Sequence, residues 1–282
     1  MKSARSVIIV QVSDVDFPPN PIDKPGYRLE FAEDFRAEAL DETRWVPYYL
    51  PHWSSRARSR ARTGRRDGRT VLQIEAGQPA WAPEWDGELR ATLLQTGLFA
   101  GPVGSTVGQL HFRDDLVVRE EQPTTRLYTP QYAFVELRAR AIRQPDAMVA
   151  LWLMGVEDQP DRCGEICVAE IFGDAMDDDS AAVGMGIHPF ADNGLVEEFS
   201  AARFPIDATA FHVYAIDWTP SGVDFYLDNR LVKRTHQSPG YPMQLMLGVY
   251  EFPDRRAADV AALHPKQFVI DYVRGYSATA PA

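Results

Sequence analysis

The chain has 282 residues, of which 45% are hydrophobic and 11% aromatic, enough to bury one large all-β core and too apolar for a disordered chain. Its 29 Lys and Arg against 40 Asp and Glu give a formal net charge of -11. That charge works against polyanions such as nucleic acid and fits a neutral partner.

At the amino terminus Lys2 and Arg5 precede the apolar run Val7 to Val12, which is shorter than an export-signal core and has no small-residue cleavage pattern behind it. No run approaches the ~20 apolar residues of a membrane span, so a soluble chain without a membrane partner is expected. Residues 1–26 read as an extension and residues 27–282 as a single domain, with no linker, repeat or low-complexity tract inside it.

Phe31 to Trp45 has helix-like spacing at Phe31 and Phe35 and reads equally well as a loop. The arginine-rich tract Ser55 to Arg69 reads as a solvated edge strand or loop, its charge discouraging edge pairing. Alternating arginines can follow phosphates, but no aromatic platform interleaves with them here. A further reading sends some of them to a binding cleft, where they would favour a sugar bearing carboxylate or sulfate.

Short alternating or apolar runs bounded by turn residues follow at Glu88 to Leu94, Tyr132 to Ala139, Met148 to Met154 and Ile166 to Phe172. Between the first two, Gly101 to Thr129 is the longest connection without a strand pattern, an ornament over one end of the fold. Cys163 and Cys167 lie four apart; on a strand their Cα atoms would be roughly 13 Å apart, so both are expected as free thiols. Phe211 to Thr219 alternates, Thr219 to Gly222 turns, and Val223, Phe225 and Leu227 share a face before Asp228-Asn229 closes a hairpin onto Leu231-Val232. Tyr241 to Tyr250 and Gln267 to Tyr276 complete the set, with Ala257 to Leu263 between them as a helical turn or a loop. About a dozen strands imply an all-β, two-sheet antiparallel sandwich.

The segment Gly164 to Gly173, GEICVAEIFG, sets two glutamates in an otherwise apolar strand, a place isolated carboxylates avoid. Glu165 and Cys167 share a face by alternation, whereas Glu170 would point away unless a β-bulge near Val168 or Ala169 restores it. Two carboxyls over one cleft position, roughly 5 Å apart, are what a retaining glycosidase uses as nucleophile and acid/base. Two solvated carboxylates on an outward strand face are the alternative.

GEICVAEIFG resembles the E-x-D-x-x-E signature of glycoside hydrolase family 16, the β-1,3(4)-glucanases and laminarinases. Trp152 within ALWLM, the segment FHVYAIDWTPSGVDFYLDNRLV, then YPMQLMLGV and FVIDYVRGY resemble its other strands in the family's order, and Tyr27 to Trp45 its first strand and loop. The resemblance implies a concanavalin A-like β-jelly roll with an open cleft on the concave sheet. It also implies retaining endo-hydrolysis of β-1,3 or β-1,4 links in glucans or galactans, a β-1,3(4)-glucan-type polysaccharide such as laminarin being the expected substrate, by a monomer that requires no cofactor. Secretion follows from the resemblance alone. By the same resemblance Glu165 takes the nucleophile position, Glu170 the acid/base position, Trp152 the sugar-stacking position and His188 a place lining the same subsite. Asp271 matches one carboxylate of a structural calcium site. Trp81, Trp85 and Tyr250 are further candidates to stack on sugar rings.

Cys167 stands where the family has its middle Asp, Met148-Val149 where Trp-Pro is frequent, and Gly248 where Asn is frequent. A thiol there stays largely neutral near pH 7, so the pH optimum is expected on the acid side of a Cys167→Asp variant, and a cleft-facing Cys167 is expected to react with thiol reagents. A carbohydrate-binding protein with decayed catalysis and a transglycosylase are the rival readings.

Overall fold

The computed structural model describes residues 16–259 and 261–279. The run Val7 to Val12, read above for an export signal, lies outside them. Sixteen strands follow in chain order: β1 (Tyr27–Glu33), β2 (Thr63–Arg66), β3 (Arg69–Ile74), β4 (Arg90–Gln95), β5 (Gly97–Leu98), β6 (Thr125–Arg126), β7 (Ala133–Arg140) and β8 (Ala147–Gly155), then β9 (Glu165–Phe172), β10 (Ala181–His188), β11 (Ser200–Phe204), β12 (His212–Thr219), β13 (Gly222–Leu227), β14 (Arg230–Thr235), β15 (Met243–Glu251) and β16 (Lys266–Ala278). The helices α1 (Arg56–Ser59) and α2 (Pro83–Asp86) are single turns. Among the described residues no helix is long and apolar enough to cross a membrane.

An outer sheet runs β14-β13-β12-β7-β16-β3-β2, with β1 also on β16, and a second sheet runs β11-β10-β9-β8-β15-β4. Alternation along these strands sends one set of side chains between the sheets. Leu151, Ile166, Val183 and Leu247 of the second sheet meet Leu137, Ile216, Phe225 and Val273 of the outer one. Burial of each such side chain contributes about 1.5–3 kcal/mol. The opposite face of the second sheet carries a separate apolar cluster, in which Met148, Trp152, Met154, Met246 and Tyr250 lie under Tyr49, Leu50, Trp53 and Trp81. Strands β8 and β15 are therefore buried along their whole length.

The hairpin at Asp228-Asn229 forms as its sequence demands, both residues having positive φ (50° and 63°), the backbone of a two-residue turn that matches strand twist. Phe31 to Trp45 is not a helix. Its aromatic spacing builds a knot instead, with Phe31 edge-on to Trp45 at 5.2 Å and Phe35 at 6.3 Å from the same ring. Of Ala257 to Leu263, the described residues form no helix, and a 3-10 turn falls earlier, at Pro253–Arg255.

The arginine tract lies at an edge, with β2 the last strand of its sheet. Most of its charges are paired, Arg56 with Glu120, Arg58 with Glu84, Arg60 with Glu42, Arg62 with Glu75, Arg66 with Asp67 and Arg69 with Asp271, while Arg65 donates to the Ala37 and Gly68 carbonyls. Residues 16–26 lie along the outer sheet, where the Phe17 carbonyl accepts from Arg138 and the Asn20 amide donates to Glu136.

Candidate active site

Strand β9 decides the site. Its pairing with β8 sets Met154 opposite Glu165, Trp152 opposite Cys167 and Ala150 opposite Glu170, with a register shift between Leu151 and Trp152. Directly opposed residues share a face, and Met154, Trp152 and Ala150 all belong to the apolar cluster away from the inter-sheet core. Ile166, Val168, Ala169 and Ile171 belong to that core. Two consecutive residues, Val168 and Ala169, thus point the same way, which is a β-bulge. Glu165, Cys167 and Glu170 share the cleft face. Pairing with β10 shifts at the same place, between Gly184 and Gly186. Gly186 has φ 144°, and a Cβ there would sit 2.2 Å from the Glu198 carbonyl, so only glycine lets β10 follow the bulge.

Small residues surround Glu170, which faces Gly184 on one side and Ala150 on the other, with Gly248 next in line on β15. A Cβ on Gly248 would meet the Thr92 carbonyl at 2.4 Å; the asparagine frequent at this position does not fit this backbone.

Burial pushes the Glu165 carboxyl up to about 8, with the charges of Glu170 and Glu197 adding to it. Glu170 is also raised by burial, and electrostatic interaction with His188 and Arg255 restrains it. At about 8 Glu165 keeps its proton near neutral pH, so the two carboxyls together hold at least one. Cys167 is 2% exposed. Burial and then the two glutamates raise its thiol well above the usual range, and Sγ lies 3.6 Å from the Gly184 carbonyl. It faces the cleft side as expected but is covered, which removes the expectation of ready reaction with thiol reagents. Cys163 and Cys167 are both free.

His188 lies opposite Glu165 across the ladder. Trp152 is on the cleft face but only 6% exposed, its ring stacked near Tyr250 at 6.2 Å; loop residues such as Tyr49 and Trp53 roof this floor, which its alternation could not reveal. Tyr250, also 6% exposed, is edge-on to Tyr49; burial first, then Tyr49 and the charges of Glu165 and Glu170, raise its phenol well above the usual range. Trp81 is buried, and Trp85 donates its indole N–H to the Trp53 carbonyl while Arg119 and Arg113 lie over its ring at 4.8 and 5.8 Å. Its π surface is engaged by these two protein cations.

Asp271 does not fit a calcium site. One carboxylate oxygen takes Arg69 and the other Arg138, and among the described residues no group of three or more His, Cys, Asp or Glu could hold a metal ion. Guanidiniums supply there the positive charge that a cation would bring.

Sequence reasoning missed an aromatic wall beside Glu170: Phe172 lies 5.8 Å from Phe252, and Phe252 lies 5.9 Å from Tyr250. Alternation held the signal, because Phe172 and Phe252 each follow a cleft-facing residue by two positions. It also missed Glu197, the partner of His188.

Residues 123–273 match the family model described as glycosyl hydrolases family 16, more than half of the chain. The chain belongs to that family. The GlcNAcα1-4Gal releasing endo-β-galactosidase from Clostridium perfringens superposes on this family member with a TM-score of 0.79 at 28% identity, over 93% of this chain and 65% of that one. This chain thus spans just under two thirds of that relative's length. A beta-glucanase from Rhodothermus marinus is 28% identical over 203 residues, 62% of this chain and 69% of its own. The laminarinase from Flavobacterium sp. UMI-01 superposes with a TM-score of 0.59 at 20% identity, over 89% of this chain and all of that one, a likeness of fold.

Proposed function

We propose that this protein is a retaining endo-glycosidase that cleaves a β-galactoside bond within a glycan chain. The observation that carries the reading is the bulge at Val168 and Ala169, which brings Glu165 and Glu170 to one face of β9. In this scheme Glu165 attacks the anomeric carbon while Glu170 protonates the departing oxygen, and Glu170 then draws a proton from the water that releases the glycosyl-enzyme.

One electrostatic feature runs against that assignment. In the free site burial favours the proton on Glu165, whereas attack needs it on Glu170. A bound glycan resolves the conflict, because its glycosidic oxygen accepts a hydrogen bond from protonated Glu170 and so favours the neutral form there. The single proton of the pair moves to the acid as substrate enters.

The galactoside reading is supported by the superposition on the Clostridium perfringens endo-β-galactosidase, TM-score 0.79 against 0.59 for the laminarinase. The Rhodothermus marinus beta-glucanase favours the second reading, a β-1,3(4)-glucan such as laminarin. A panel holding laminarin, lichenan and β-galactose-containing glycans, scored for reducing ends and product size, separates them. Mid-sized products from the galactose-containing glycans alone support the first reading, and shortening of laminarin alone supports the second. Tight binding without turnover across the panel would make the protein a lectin-like relative, and products longer than the substrate would make it a transglycosylase.

A further inference from the structure

At the end of the cleft where β8 finishes and β9 begins, a cavity of about 500 Å³ lies among Leu110, His111, Glu157, Cys163 and Phe190, a size that suits a small ligand. It adjoins the catalytic strand. Cys163 is two residues before Glu165, and the Phe190 ring lies 6.1 Å from His188. The long connection after β5 supplies one wall, so the segment read from sequence as an ornament borders the cleft.

Three features single this cavity out. Leu110, Glu157 and Phe190, all on its lining, have positive φ (50°, 59° and 46°), a conformation that non-glycine residues avoid and that gathers at ligand sites. Phe190 keeps 51% of its surface exposed although an apolar cavity lies beside it. Glu157 is 9% exposed, and its Oε1 accepts the Leu110 N–H at 2.7 Å; among the described residues Oε2 has no hydrogen-bond partner.

We propose that this cavity is a sugar subsite for an acetamido sugar, with Glu157 donating to the acetamido carbonyl and Leu110, Pro160 and Phe190 packing against its methyl group. Burial pushes the Glu157 carboxyl up to about 8, so near neutral pH it keeps its proton. Oε1 is held by a backbone N–H, which leaves the O–H on Oε2, the oxygen free to serve a ligand. A neutral acid in an apolar wall matches an uncharged amide, which offers a strong acceptor and a methyl group side by side. Such a subsite would restrict the cleft to glycans with an N-acetylhexosamine next to the cleaved unit.

The inference rests on reading the cleft as a glycan site, and it is testable without turnover. Calorimetric titration of the Glu170→Gln protein with N-acetyllactosamine and with lactose compares two ligands that differ by one acetamido group. Binding of N-acetyllactosamine should be tighter by about tenfold, the scale of one hydrogen bond made in a desolvated site. Adding Glu157→Ala or Phe190→Ala should abolish the difference, and adding Glu157→Gln, whose amide donates from the same place, should retain most of it. Equal affinities, no binding of either sugar, or a preference that survives both alanine variants would overturn the subsite. If the preference is present and lost in both alanine variants while the unmodified protein hydrolyses nothing, the subsite stands and the hydrolase reading falls. Hydrolysis without any preference gives the reverse.

Discussion

Nδ1 of His188 lies 3.0 Å from a carboxylate oxygen of Glu197. Burial raises the Glu197 carboxyl, but hydrogen bonds from His188 and the Phe199 N–H outweigh it and hold the group below its usual range. Glu197 is therefore an ionised acceptor that fixes the proton on Nδ1 and turns Nε2 away from it. The ring is also stacked on Phe199 at 4.6 Å.

In the proposed reaction a ring held this way opposite Glu165 would offer a polar contact to the sugar at the bond to be cut. His188→Ala should lower kcat/KM by about 10- to 100-fold, the range for a hydrogen bond to a charged or developing charged group. Glu197→Gln, which keeps the ring and weakens its orientation, should cost less. Steady-state kinetics on the best substrate of the panel check the order; equal rates for His188→Ala and the unmodified protein would remove His188 from the site.

Cys167 sits on the cleft face between two carboxyls that burial already raises. Cys167→Asp would add a third acid beside the pair, and like charge raises the pair's upper apparent pKa further. The basic limb of the kcat/KM profile should therefore move to higher pH in Cys167→Asp, and Cys167→Ser should leave it nearly in place. Mass spectrometry after a thiol reagent should show no adduct on Cys167 in the folded protein and full reaction after denaturation. Unchanged limbs in both variants would mean that the thiol only fills space.

The sequence carried these strands well because a run buried on one face alternates and a run buried on both is continuously apolar, so that β8, β9, β12, β13 and β15 fall within two residues of their expected ends. Strand β11, SAARF, was invisible because it is short, polar and almost wholly exposed. The shared face of Glu165 and Glu170 was legible only as a condition, since five-residue spacing demands a bulge that no residue type announces. Where distant residues cover a side chain, alternation along its own strand carries no signal. The roof over Trp152, the arginines over Trp85 and the guanidiniums on Asp271 all come from residues far away along the chain.

Stability should carry the signature of Glu165. Its folded-state pKa is raised to about 8, above the unfolded value of about 4.3, so the folded state binds the extra proton. The folded protein is favoured by this group below the unfolded value and loses that advantage as pH rises towards the folded one. Glu165→Gln, which cannot ionise, should melt close to the unmodified protein at pH 4 and above it at pH 8, with the gap widening between. Thermal melts across that range check it; a constant gap would mean that the carboxyl ionises freely in the folded state.

The proton assignment has its own test. An activated 2-deoxy-2-fluoro glycoside of the cleaved sugar forms a glycosyl-enzyme that decomposes slowly, and peptide mapping then identifies the nucleophile. The label should fall on Glu165 and be absent from Glu165→Gln. Label on Glu170 would reverse the two roles, in agreement with the ligand-free electrostatics.

The most direct measurement is the proton NMR spectrum of the first products, taken before mutarotation. If the two carboxyls brought to one face by the bulge in β9 act by the proposed double displacement, the new reducing end should appear as the β anomer, the configuration of the bond that was cut. An initial α anomer would mean that water attacks the anomeric carbon directly, and would contradict the roles given to Glu165 and Glu170.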